Sequence, residues 1–347
     1  MNRLFEGLRV KFKSIELFAG AGGLAIGLEK SGFEHIGLVE IDKHASLTLK
    51  YNRPCWNVIN EDIEQVVERN LEIEFNIKKG ELDLLSGGPP CQSFSYAGNR
   101  LGIEDSRGTM FYFYAKFLKE LQPKVFLFEN VKGLYSHDKG KTFKIITEIL
   151  KSQGYRIEHK ILNAWDYGVA QKRERLILVG IRKDFENITY CFPKPHSYKP
   201  VLKDIILDAP KSQGAKYSKQ KEKIFALVPQ GGYWKDIDED IAKEYMKSCW
   251  NMGGGRTGIL RRLSLDEPSL TILTVPQMKQ TERCHPLYER PFTIRESARI
   301  QSFPDEWEFM GSMASQYKQI GNAVPCMLAK AIGESLIQIL HRMQDAR

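Results

Sequence analysis

From residue 14 to residue 181 the chain alternates short apolar runs with longer stretches of helical periodicity, and this alternation limits the fold more than any other feature. Ser14–Phe18 predicts a strand that ends in Ala19-Gly20-Ala21-Gly22-Gly23. A helical pattern carrying Leu24 and Leu28 follows and stops at Gly32, a residue suited to the left-handed position beyond a helix C-terminus. Ile36–Val39 predicts a second strand closed by Glu40 and Asp42, and Leu82–Leu85 a third running into Gly87-Gly88-Pro89-Pro90. Thr109–Leu121 predicts a helix, Val125–Phe128 a strand ending at Glu129, and Tyr155–Leu162 and Leu176–Ile181 two further strands. Such repetition predicts an α/β fold with a mostly parallel sheet covered on both faces.

After Ile181 the pattern breaks. Residues 189–285 are rich in Lys, Pro and Gly, with Gly231-Gly232 and Gly253-Gly254-Gly255, and carry no clean periodicity. Regularity returns at Thr293–Phe303 and in an amphipathic helix at Val324–Met343. The expected division is a catalytic domain over 1–188, completed by 316–347, and a smaller loop-rich domain over 189–315. The net charge is +8, and sixteen basic residues against eleven acidic ones between Thr189 and His285 supply most of the excess. A basic surface concentrated in one segment favours a polyanionic partner, although charge alone does not decide it. The apolar runs fall short of a membrane span, and the basic segment Met1–Ser14 lacks the apolar core of a secretory signal. No two of the six cysteines stand at CxxC spacing, so no metal site is expected, and five of the six read as small buried hydrophobes.

Cys91 is different, because Gly87-Gly88-Pro89-Pro90-Cys91-Gln92 delivers it to the carboxyl edge of a strand, where open α/β sheets bind ligands. Two prolines stiffen the approach and remove two backbone donors. The polar, glycine-bearing stretch Ser93–Gly108 has the composition of a lid. Phe18–Gly23 lets backbone approach a ligand at a helix N-terminus, as turns for nicotinamide, flavin or S-adenosylmethionine cofactors do, and as some tightly packed turns do without any ligand. Glu40, about 20 residues on, is placed to hold ribose hydroxyls, and Asp62 to accept from an adenine amino group. Glu129 ends the strand after Cys91. Gln171, Arg173 and Arg175 are expected to share one strand face. Seen alone, the plain alternative for these acidic and basic residues is a solvated charged edge.

Taken in order, these blocks resemble the DNA (cytosine-5) methyltransferase family, especially its bacterial modification enzymes. The resemblance runs from Ile15 through Phe18–Gly23, Pro89-Pro90-Cys91-Gln92, Glu129-Asn130-Val131 and Gln171-Lys172-Arg173-Glu174-Arg175. It continues through Arg299–Pro304 to Gln319-Ile320-Gly321-Asn322-Ala323-Val324-Pro325. It implies a Rossmann-like S-adenosylmethionine-dependent fold, with Cys91 attacking cytosine C6. Glu129 would hold N3 and the exocyclic amine, Arg173 would help at O2, and Arg175 would support the site. Phe18, Gly20, Gly22, Gly23, Glu40, Asp62, Pro90 and Asn322 would surround the cofactor, with Ile41 and Ile63 flanking its adenine. Ser95 and Arg107 would serve the lid and its phosphate contacts, and 189–285 would recognise the target. Asn60-Glu61 departs from the family, which often has glycine before Asp62.

The chemistry agrees with those roles. Cytosine C5 is a poor nucleophile until a thiolate adds at C6, and Glu129 favours that addition if burial raises its pKa. The base must leave the stack, at a cost of a few kcal/mol. The implied partners are duplex DNA and a restriction endonuclease acting on the same site. A monomer in the bacterial cytoplasm, yielding S-adenosylhomocysteine, is expected. An RNA cytosine-5 methyltransferase on the same scaffold competes with this reading. A nicotinamide-dependent dehydrogenase and a catalytically silent DNA-binding protein are further alternatives, but the dehydrogenase leaves Pro90-Cys91 and Glu129-Asn130-Val131 unexplained.

Overall fold

A computed structural model describes residues 11–90, 109–251 and 256–346. Two units emerge: Met1–Leu162 with Glu174–Lys194 and Ala329–Arg347, and Asn163–Arg173 with Pro195–Leu328. The chain begins with β1 (Phe12–Leu17), α1 (Gly23–Ser31), β2 (Phe33–Val39), α2 (Lys43–Asn52), β3 (Val58–Ile59), α3 (Ile63–Val67) and α4 (Leu71–Glu74). It continues with β4 (Leu84–Gly87), α5 (Met110–Leu121), β5 (Val125–Val131), α6 (Gly133–Ser136), α7 (Lys141–Ser152) and β6 (Tyr155–Asn163). Then come β7 (Gln171–Lys172), β8 (Glu174–Arg182), α8 (Lys203–Ile206), α9 (Lys219–Phe225) and α10 (Glu239–Met246). Last are β9 (Ser269–Leu270), α11 (Ile294–Ile300), α12 (Met313–Asn322) and α13 (Cys326–Asp345).

The first unit carries a seven-stranded sheet in the order β3-β2-β1-β4-β5-β8-β6. Strands β1 to β5 pair in parallel, as the alternation predicts, whereas β8 lies antiparallel to β5. No crossover helix separates β6 from β8, so the chain reverses instead of crossing the sheet. Central strands covered by helices lose their polar face. In β5 that leaves Val125, Phe126, Leu127 and Phe128 all fully buried. Helix α5 starts where Thr109 accepts from the Tyr112 amide (3.2 Å). Its spacing then turns Phe111, Tyr114, Ala115 and Leu118 into the core. Gly32 ends α1 in the left-handed conformation, its amide donating to Leu28 and Glu29 carbonyls.

The region Met313–Asp345 is apolar enough over 18 residues to match a membrane span by composition, but two-thirds of that stretch is buried. Gly333 of α13 packs against Leu28 and Ser31 of α1 so closely that a Cβ there would lie 2.2 Å from Ser31 Oγ. The helix is thus a core element of the first unit.

The second unit is short on regular structure. Its core is built from Tyr217, Phe225, Val228, Trp234, Met246, Leu260 and Cys284. A two-stranded ladder of β7 and β9 brings Gln171–Arg173 into this unit.

Gly180 in β8 faces Phe126 in β5, and the Phe126 ring lies over the glycine. A Cβ at position 180 would fall 1.9 Å from that ring. Gly180→Ala is expected to destabilise the protein by about 1–3 kcal/mol, the usual cost of overpacking. Denaturant unfolding checks this, and an unchanged midpoint would contradict the packing described.

Candidate active site

After β3 the chain returns to the opposite side of β1 as β4, so the strand order reverses between those two strands. Open α/β sheets take their ligands at the carboxyl ends of such a pair. The turn leaving β1 has left-handed backbone at Phe18 (φ 58°), Gly20 (φ 55°) and Gly22 (φ 88°). For Phe18 that is a sparsely allowed conformation, of the kind retained where the surroundings impose it. Those surroundings are specific. The Ala19 amide donates to Val39 O at 3.1 Å. One oxygen of Glu40 accepts from the Gly20 amide and the other from the Asp42 amide, both at 2.7 Å. Glu40, read from sequence as a ribose ligand, therefore also shapes the turn.

Asn60, which breaks the family pattern, donates to the Glu40 and Ile41 carbonyls at 2.8 and 3.1 Å and ties the end of β3 to that of β2. Asp62 caps α3 by accepting from the Glu64 amide (3.0 Å). Ile41 is 64% exposed, whereas Ile63 is buried among Ile59, Val66 and Val67. Phe18, Gly20, Gly22, Gly23, Glu40, Ile41 and Asp62 thus lie along the carboxyl ends of β1 to β3. Pro90 is exposed beyond β4, and Asn322 is an exposed residue ending α12 in the second unit.

Glu16 was not singled out by the sequence. It is fully buried, one carboxyl oxygen has no hydrogen-bond partner, and burial together with the Glu40 charge holds its pKa well above the ordinary value. The side chain lies two residues before Phe18.

The second part of the site lies at β4 and β5. Gly87 pairs with Phe128, so Glu129 stands level with Gly88. Glu129 is 9% exposed, and Arg175 Nε meets its Oε1 at 2.9 Å. The register explains the pair. Arg175 lies opposite Val131, and Val131 and Glu129 point to the same face of β5. A Cβ on Gly88 would come within 2.7 Å of Glu129 Oε2, so only glycine leaves that carboxylate its place. The Asn130 amide donates to Pro89 O at 2.9 Å while its oxygen accepts from the Val131 amide at 2.8 Å. Two consecutive prolines offer no donor, and the Pro89 carbonyl is the group Asn130 takes. Cys91, Ser95 and Arg107 lie outside the described residues.

Gln171 and Arg173 are buried, Lys172 and Glu174 are exposed and Arg175 is half-buried, so the expected alternation holds in burial although the partners of the three residues differ. The strand is interrupted at Arg173, where the amide turns to Asn163 Oδ1 and the carbonyl to Ala164 N. Gln171 bonds to Gln301, Ile300 and Ile272. Arg173 is 1% exposed and donates to the carbonyls of Ile272, Gly321 and Ala323, all in the second unit. Only Arg175 reaches Glu129. Sequence alternation carried no sign of this break.

A reversed-order α/β sheet with a strained glycine turn and a buried carboxylate beside a Pro-Pro turn is the architecture of the methyltransferase fold. Comparison narrows the class. The family model for C-5 cytosine-specific DNA methylases matches residues 12–338. The chain is 54% identical over 334 residues to Type II methyltransferase M.Sau96I of Staphylococcus aureus, covering 95% of this chain and 77% of that protein. It is 51% identical over 338 residues to Type II methyltransferase M.Eco47II of Escherichia coli, covering 95% and 79%. A crystal structure of Spodoptera frugiperda DNMT2 shares the fold with a TM-score of 0.66 at 20% identity, covering 95% of this chain and all of that one. The chain belongs to the C-5 cytosine-specific DNA methylase family, and its enzyme class is DNA (cytosine-5-)-methyltransferase.

Gly88→Ala is expected to lower methyl transfer on the order of 100-fold by displacing Glu129, with cofactor affinity near wild type. Steady-state kinetics with cofactor titration checks this, and full activity would contradict the crowding. Because Glu16 keeps a proton that the unfolded chain loses above its ordinary pKa, wild-type stability falls as pH rises through that range. Glu16→Gln should remove that fall, so the variant gains on wild type as pH rises above the ordinary carboxylate range. Equal pH slopes in denaturant unfolding would count against the raised Glu16 pKa.

Proposed function

We propose that this enzyme transfers a methyl group from S-adenosylmethionine to C5 of a cytosine rotated out of duplex DNA, with Cys91 as nucleophile. The observation that carries the reading is the Glu129–Arg175 pair, seated against Gly88 and one strand over from the Pro89-Pro90 turn that leads to Cys91. A pyrimidine substrate needs a thiol near C6 and a carboxylate near N3, and Glu129 supplies the carboxylate in this reading.

The cofactor reading is supported by the turn after β1. A Cβ on Gly20 would meet nothing within 4 Å, so the turn borders open space, and Ile41 offers an exposed apolar face nearby in sequence. Phe18, Gly20, Gly22, Gly23, Glu40, Ile41, Asp62 and Pro90 would hold the nucleoside and amino-acid parts. The burial of Ile63 argues against direct adenine contact, and Asn322 remains a candidate by resemblance. When bound, S-adenosylmethionine supplies an electrophilic methyl group.

In the proposed mechanism the Cys91 thiolate adds to cytosine C6 and makes C5 electron-rich. Glu129 holds N3 and the exocyclic amine. Arg175 supports Glu129, and Arg173, which also donates to backbone carbonyls, is proposed by resemblance to help at O2. Once C5 is methylated, its proton leaves to a base or water and the C6–sulfur bond breaks. Ser95 and Arg107 are proposed to close over the site and contact phosphate.

The second unit is proposed to recognise the target, in keeping with its basic residues. The naming of similar proteins as Type II methyltransferases supports a place in a restriction–modification system. A cognate endonuclease of the same specificity, a monomeric enzyme and a location in the bacterial cytoplasm with the nucleoid belong to that proposal.

Duplex DNA carrying 5-fluorocytosine at the target should trap a covalent adduct, since fluorine cannot leave C5 as a proton does. Peptide mass spectrometry should locate it on Cys91. Cys91→Ala should form no adduct and transfer no methyl while still binding S-adenosylhomocysteine. An adduct on another residue would refute the assignment.

A further inference from the structure

Most arginines of the second unit are used up internally. Arg262 donates to the Phe225 and Pro286 carbonyls and to Glu289. Arg290 clamps Glu296, and Arg299 holds Asp305 and Asp208. Arg261 and Arg283 differ. Among the described residues neither has a carboxylate partner. Each anchors one Nη1 to a carbonyl, Gly231 O at 3.0 Å and Glu282 O at 2.8 Å, and each buries an Nε–H with no acceptor.

Backbone pairing puts these two side by side. The Glu282 amide donates to Gly258 O, the Cys284 amide to Arg261 O and the Leu263 amide to Cys284 O, with Arg262 and Cys284 as parallel bridge partners. Arg262 and Cys284 turn into the core at 7% and 0% exposure. Alternation therefore sends Arg261 and Arg283 to the opposite face. The buried Thr281 hydroxyl also has no partner, and Thr281 and Arg283 line a small pocket with Val275, Phe292 and Tyr317. The Arg261 guanidinium is seated over the Tyr233 ring, 4.9 Å from its centre. Burial, and secondarily the charge of Arg261, pushes the Arg283 guanidinium down to about 10. Two neighbouring like charges without an acid partner are costly in the unbound protein, and an anion between their outer ends would offset that repulsion.

We infer that the Nη2 ends of Arg261 and Arg283 form a clamp for a phosphodiester group of the DNA strand. The inference rests on the proposed function, and assigns one part of the second unit to backbone positioning. A phosphate oxygen accepts from separate donors converging on one point. Reading a guanine edge needs both free ends of one guanidinium fork, and each fork here has already given an Nη1 to a carbonyl.

The test measures affinity of the full chain, with S-adenosylhomocysteine, for a target duplex and an unrelated duplex between about 50 and 200 mM salt. Arg261→Gln and Arg283→Gln should each reduce the slope of log affinity against log salt by about one, equally on both duplexes. Arg283→Lys keeps the charge and should keep the slope. Melting temperatures of the Gln variants should match or exceed wild type, because a repulsion is relieved. An unchanged slope, a loss confined to the target duplex, or a Lys variant as defective as the Gln variant would overturn the clamp. So would a collapse in melting temperature shared by the Gln and Lys variants. Wild-type protein that fails to bind duplex DNA would instead overturn the function on which the clamp rests.

Discussion

The ion pair between Glu129 and Arg175 is the interaction on which the site depends. It exists because β8 runs antiparallel to β5, which sets Arg175 opposite Val131 and diagonal to Glu129. In a nearly buried position, removing one partner would strand the other, at a cost of about 3–5 kcal/mol. The pair is confined from the other side by Gly88, where a methyl group's worth of space is missing. Asn130, next in sequence, fastens the Pro89 carbonyl to the same strand. Carboxylate, arginine and Pro-Pro turn are thereby fixed relative to one another by Glu129 and Asn130 of β5, Arg175 of β8 and Gly88 just beyond β4, as a reacting group's placement demands.

The turn after β1 follows the same logic with different bonds. A phenylalanine and two glycines in left-handed conformation would not hold that shape alone. Both oxygens of Glu40 are committed to amides of the turn and of the α2 N-terminus, and Asn60 braces the Glu40 and Ile41 carbonyls from β3. Asn60 is therefore a strut between the ends of β2 and β3. Beneath it, Glu16 is wholly buried, and burial with the Glu40 charge holds its pKa well above the ordinary value, whereas the carboxylate at the turn itself has two amide donors.

Much of this was legible in the sequence. Strand–helix alternation gave the parallel half of the sheet, and Thr109, Gly32 and Gly87-Gly88 marked ends that the structure keeps. Glu129 was found because it ends a strand whose neighbour leads to Cys91. Other features were not legible, for physical reasons. The antiparallel β8 depends on a missing crossover helix, which periodicity does not report. Gln171, Arg173 and Arg175 look equivalent in a period-two pattern, yet the break at Arg173 sends two of them to the second unit and one to the carboxylate. Gly88 and Asn130 matter through contacts between strands far apart in sequence. Arg261 and Arg283 look like any surface basic residues until pairing with their neighbours reveals which arginines lack acids.

The central claim is methylation of carbon 5 of a particular cytosine in duplex DNA. Bisulfite sequencing of DNA from cells expressing the enzyme tests it most directly, with a Cys91→Ala strain for comparison. Protected cytosines in one short sequence context, absent from the comparison strain, are the predicted result. DNA with no protected context, or modified cytosines that mass spectrometry assigns to the exocyclic nitrogen instead of C5, would contradict the account.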